Sequence, residues 1–162
     1  MTKVLPKRHE AQQLCKLRAL RVQRAREAVV QAQAEVDRAA DVVRERQRKI
    51  EHLRDSLDKL LKSVVTSLVP VLPRWGSMAG ATREKLADRL ARDEYALIED
   101  ERNLEAAQEK LQAARAEVTR ALAREDAVRG LANETKRAHA LRREQRAELE
   151  VEDQGRPAGM HG

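Results

Sequence analysis

Phenylalanine is absent from this sequence, and tryptophan and tyrosine occur once each, as Trp75 and Tyr95. Aromatic rings supply much of the area buried in thick globular cores, so a core of that kind is excluded. The single cysteine, Cys15, has no intramolecular partner, which suits a reducing compartment and leaves an intermolecular disulfide as the alternative. Only six glycines and four prolines punctuate 162 residues, too few for the frequent turns of a sheet protein. No stretch approaches the roughly 18 apolar residues of a membrane span. The opening run from Met1 to Arg8 lacks the apolar core of a secretory signal, and the expected location is cytoplasmic.

Alanine and charge are abundant instead. Twenty-six alanines sit within a hydrophobic fraction of 41%, and 37% of residues are charged, the composition of a coiled coil or long helix. Lys and Arg outnumber Asp and Glu by 33 to 27, a net charge of +6 that permits anionic partners without identifying one. Most of the proline and glycine falls in two places, Pro70, Pro73, Gly76 and Gly80 in the middle and Gly155, Pro157, Gly159 and Gly162 at the end. The proline-free segments between them each suit one continuous helix. The expected organisation is a single domain over 1–150, with helix 1 at about 8–68, a turn at about 69–81, helix 2 at about 82–150, and a flexible tail over 151–162. Thr82, followed by Glu84, is the expected N-cap of helix 2.

Both segments keep a seven-residue repeat. In the first, Cys15, Val22, Val29, Val36, Val43, Ile50, Leu57 and Val64 form one set, and Ala11, Arg18, Ala25, Ala32, Ala39, Arg46, Leu53 and Leu60 the other. In the second, Leu90, Leu97, Leu104, Leu111 and Val118 alternate with Leu86, Asp93, Asp100, Ala107, Ala114, Ala121 and Val128. Such spacing implies left-handed supercoiling against a partner helix. The fold class expected is therefore all-α, two long helices in an antiparallel coiled-coil hairpin with a central Pro/Gly turn. A fold-back about Trp75 pairs residues whose numbers sum to 150, so that Val36 faces Ala114, Ala32 faces Val118 and Val29 faces Ala121. Large side chains then meet small ones, as dense packing requires. An intermolecular dimer of straight helices competes; the near-central turn and the volume matching favour a monomeric hairpin. The register sets Asp93 against Leu57 and Asp100 against Ile50, imperfect layers expected to be loose, with Arg46 in reach of Asp100 or Glu101. Beyond about residue 125 the pattern is expected to slip, because Glu125 and Gly130 interrupt it.

Function must then come from the outward faces. The sequence has no phosphate-binding glycine loop, no His/Cys cluster at metal spacing and no nucleophile with an adjacent base, so no enzyme, cofactor, metal site or small-molecule substrate is expected. Charge is graded instead. Residues 1–26 carry eight Lys or Arg against Glu10 alone, and residues 127–146 carry six against two, whereas residues 93–109 carry seven acidic groups against Arg102. The basic segments lie together at the open end of the expected hairpin. There Leu14, Leu17 and Leu20 spread around the helix instead of lining one seam. Toward the turn, Leu61, Val65 and Leu68 run into Val71, Leu72 and Trp75, and Tyr95 and Ile98 form an outward stripe on helix 2. Exposed apolar groups of this kind mark protein contacts, unless the turn folds over them.

A short basic chain of two long helices with a central Pro/Gly-bearing turn and both termini at one end resembles the YscO/FliJ family of type III secretion and flagellar export. The resemblance spans residues 8–150 and rests on architecture, length and charge layout. It implies a non-enzymatic, cytoplasmic stalk protein, peripheral to the inner-membrane secretion apparatus. By that likeness the basic end, with Lys16, Arg18, Arg21, Arg24, Arg137, Arg142 and Arg143 and the leucines Leu14, Leu17 and Leu20, would dock in a hexameric export ATPase. The turn end, with Leu61, Val65, Leu68, Val71, Leu72, Trp75, Tyr95 and Ile98, would meet the export-gate membrane protein or secretion chaperones. A general scaffold coiled coil is the alternative reading. Binding of nucleic acid or another anionic surface is a third, weakened by the lack of stacking aromatics in the basic segments.

Overall fold

The computed structural model describes residues 5–66 and 73–156, with the side chains of 65, 66 and 73–77 outside that description. Two helices, α1 (Arg8–Thr66) and α2 (Pro73–Gly155), pack against each other as an all-α hairpin. No strand occurs among the described residues.

Helix α1 begins where the sequence supplies a partial cap. The Lys7 carbonyl accepts the first helical bond from the Ala11 amide at 2.9 Å. The Lys7 amide donates in turn to Glu10 Oε2 at 3.2 Å. Glu10 thus closes the carboxylate half of a capping box and sets a negative charge in the first turn, where the helix dipole favours it.

Helix α2 departs from the expected boundaries at both ends. Residues 73–81, expected in the turn, are helical. Proline is favoured at the first helical position, where its ring presets φ and its missing N–H costs no hydrogen bond, so Pro73 starts the helix. Thr82 is therefore an interior residue and not a cap, its hydroxyl donating back to the Met78 carbonyl at 2.9 Å. At the far end residues 151–155, expected in a flexible tail, complete α2. Gly155 closes the helix, with Pro157 two residues on in the sequence to prevent its continuation. Residues 69–72 of the expected turn lie outside the described residues.

Two compact units divide the chain, one formed by Met1–Ala28 with Ala114–Gly162, the other by Val29–Ala113. In the first, Ala11, Val22, Ala25, Ala121 and Thr135 are buried. Val22, Ala25 and Ala121 form its apolar cluster, with Val118 and Leu122 packed against them. The sum-to-150 register sets Ala121 and Val118 against Val29 and Ala32. The observed cluster lies about one heptad nearer the N-terminus of α1, because the break between the helices falls ahead of Trp75, so each α2 position meets α1 residues of lower number. The slip expected beyond residue 125 is also absent up to Thr135. Glu125, Val128, Ala132 and Thr135 continue the three-four spacing at partly or fully buried positions. Thr135 is tolerated there because it is small and its hydroxyl donates to the Leu131 carbonyl at 2.8 Å.

In the second unit the seam is formed by Ala32, Val43 and Ile50 of α1 and Ala107 and Leu111 of α2, all buried. Half-buried Val36, Ala39, Leu53, Leu57, Leu60, Leu86, Leu90, Leu97 and Leu104 extend it. Arg46 and the two aspartates do not make loose layers. The Arg46 guanidinium donates through Nε to Asp100 Oδ2 at 2.9 Å and through Nη1 to Asp93 Oδ1 at 2.8 Å. All three side chains are largely withdrawn from solvent, at 27, 23 and 14% exposure for Arg46, Asp93 and Asp100. The hydrogen bond to Asp100, followed by that to Asp93, raises the Arg46 pKa above its ordinary value. The raised pKa means that this stabilisation is present throughout the neutral range and is lost as pH climbs past the arginine range. Arg54 adds a more exposed bridge to Glu94 at 2.8 Å, of the kind that contributes little.

Removing Arg46 leaves two half-buried carboxylates side by side. Arg46→Leu is expected to cost about 2–3 kcal/mol in urea unfolding, and the triple change Arg46→Leu, Asp93→Leu, Asp100→Leu to recover most of it. Gly80 and Gly130 sit inside α2 with ordinary helical φ, and a Cβ added to either meets nothing within 4 Å. Gly80→Ala and Gly130→Ala should each raise stability by about 0.5–1 kcal/mol, read as a higher urea midpoint at unchanged slope.

Candidate functional site

The basic side chains singled out from the sequence all fall in the first unit. Lys16, Arg21, Arg24, Arg137, Arg142 and Arg143 are exposed, and Arg18 is partly buried. Leu14, Leu17 and Leu20 stay 39, 45 and 53% exposed, consistent with their spread around α1. The same unit exposes Leu141, Leu149 and Val151 on α2, apolar residues that the heptad pattern gave no reason to single out.

Three of the arginines come together with a fourth. Arg18, Arg21 and Arg24, at three-residue intervals on one side of α1, line a groove of about 410 Å³ with Ala25 of α1 and with Glu117, Ala121 and Arg124 of α2. Its origin lies in the seam. Ala25 and Ala121 meet there, both buried, and two methyl groups cannot fill a layer that two leucines would close. The flanking guanidinium groups are left around the gap. Lys16, Arg137, Arg142 and Arg143 do not line it. Arg124 was not a sequence candidate; the available signal is its position three residues beyond Ala121, which puts it beside the seam across from the arginines of α1.

The electrostatics of the groove are uncompensated. Four guanidinium groups face one carboxylate, and Glu117 is already bridged to Arg120 at 3.0 Å. The nearby Glu125 is bridged to Arg129 at 2.7 Å. Arg18 occupies a seam position, and its Nε is buried with no hydrogen-bond partner. A buried donor left unpaired costs on the order of 1–3 kcal/mol.

At the other candidate surface, in the second unit, Leu61, Tyr95 and Ile98 are 42, 78 and 49% exposed, and Val64 and Met78 join them at 51 and 68%. Val65 and Trp75 are helical, with side chains outside the description, and Leu68, Val71 and Leu72 lie outside the described residues altogether. Among the described residues no group of three or more His, Cys, Asp or Glu could hold a metal ion, and no helix is long and apolar enough to cross a membrane. Comparison with protein families, curated proteins and solved structures gives no match to this chain.

The unpaired Nε makes Arg18 a stability liability. Arg18→Met keeps an unbranched stem in the seam, deletes the orphan donor and relieves repulsion from Arg21 and Arg24. It should stabilise the fold by about 1 kcal/mol in thermal or urea unfolding; a loss of that size would show that the guanidinium is satisfied in solution.

Proposed function

We propose that this chain is a non-enzymatic stalk component of a type III secretion system, of the YscO/FliJ kind, acting in the cytoplasm at the inner-membrane secretion apparatus. In this reading the two helices form an antiparallel coiled coil about a central Pro/Gly turn. Their basic termini dock in a hexameric export ATPase, and the apolar surface near the turn, including Leu61, Tyr95 and Ile98, meets the export gate or secretion chaperones.

The observation that carries the reading is the composition of the first unit. The N-terminal part of α1 and the C-terminal part of α2 combine there, bringing seven candidate basic residues into one unit with three exposed leucines. Unpaired cations beside exposed apolar groups suit a protein partner better than bulk water, since the charges steer encounter and the leucines supply burial.

The test uses the full chain titrated into a hexameric type III export ATPase. Addition should raise ATP turnover, and reversal of four exposed charges, Arg21→Glu, Arg24→Glu, Arg142→Glu and Arg143→Glu, should abolish the stimulation while helical circular dichroism is retained. Unchanged binding and stimulation by that variant would overturn the reading.

A further inference from the structure

We propose that the groove lined by Arg18, Arg21, Arg24 and Arg124 is a binding site for a short phosphoryl chain, a compact polyanion with several charges within a few ångströms. Such a site requires no ATPase partner, although Arg21 and Arg24 also belong to the basic surface proposed above for docking.

Three features of the groove lead there. The first is its donor set. Guanidinium groups from both helices converge on a space of about 410 Å³ floored by Ala25 and Ala121, so an anion can be gripped from two sides without displacing a large side chain. Arginine is a donor only, and its planar fork matches the paired oxygens of phosphoryl and carboxylate groups.

The second is the charge imbalance. Four positive groups against Glu117 leave an excess of three, and Glu117 is engaged with Arg120. One carboxylate offers a single charge and two oxygens, enough for one fork. A chain of two or three phosphoryl groups offers three or more charges and oxygens on every side, which matches the excess and the count of forks.

The third is Arg18 Nε. It is a desolvated donor at a seam position that gains nothing from the fold. Buried polar groups are almost always paired, and an unpaired donor on an arginine that lines the groove marks a residue whose presence the packing of the two helices does not account for.

Isothermal titration of the full-length chain with tripolyphosphate at low ionic strength tests the proposal. One-site binding is expected, weakening as salt is added. The variant Arg21→Gln, Arg24→Gln, Arg124→Gln should bind about tenfold more weakly or not at all. A control with the same loss of charge on the second unit, Arg83→Gln, Lys85→Gln, Arg89→Gln, should bind as the parent does. Arg18→Met, separately, should weaken binding while leaving or raising the unfolding midpoint, a combination that a purely structural arginine would not give. ATP, run alongside, identifies the source of the phosphoryl chain: tighter ATP binding points to a nucleotide, and equal or tighter tripolyphosphate binding to a free polyphosphate, either result supporting the site. The proposal is overturned if tripolyphosphate does not bind, if the control loses as much affinity as the groove variant, or if citrate, a tricarboxylate of similar charge, binds as tightly.

Discussion

Among the described residues each helix removes water chiefly from one narrow stripe. Among the described residues the buried side chains are alanine, valine, one isoleucine, one leucine and one threonine, and none of them is fully enclosed. No third element among the described residues covers a second face, so burial comes mainly through side chains spaced three and four apart. Large-against-small packing, the tolerance of Thr135 and the exposure of Leu14, Leu17 and Leu20 all follow from that narrowness.

The same narrowness explains why polar groups in the stripe have such different standing. Arg46 is flanked by two carboxylates that take up its charge, so a position that would otherwise be a defect fixes how the helices meet. Arg18 occupies the corresponding position elsewhere in the repeat and has no such partner for its Nε. Glu117, which lines the same groove, and Glu125, four residues beyond Ala121, are each bridged to an arginine on their own helix. Two arginines in equivalent places therefore contribute differently. One is part of the architecture, and the other reduces stability while facing a groove full of like charge, a combination more common at functional sites than in packing.

How far all this was legible in the amino-acid sequence depended on which signal was in use. Seven-residue spacing marked the stripe correctly: positions from Ala11 to Leu60 on α1 and from Leu86 to Val128 on α2 are those withdrawn from solvent. Proline and glycine were weaker guides. Treating Pro73, Gly76 and Gly80 as turn residues displaced the start of α2 and carried the pairing with it by about a heptad, since proline initiates a helix as readily as it interrupts one. Glu125 breaks the apolar pattern, yet the stripe continues past it through Val128, Ala132 and Thr135. The arginines of α1 stood out by spacing alone. Arg124 did not, because a groove formed by two alanines meeting across the pair is a property of the register and not of either helix.

The pairing of Arg46 with two aspartates has a mechanical consequence. Asp93 and Asp100 are one heptad apart, the smallest step by which one helix can slide along the other and still match apolar positions, a travel of about 10 Å. After such a step Arg46 would keep one aspartate and lose the other, with Leu86 or Ala107 arriving in its place. The clasp therefore behaves as a detent with unequal neighbouring stops: it penalises slippage without forbidding it, and it keeps a partial grip at the next notch.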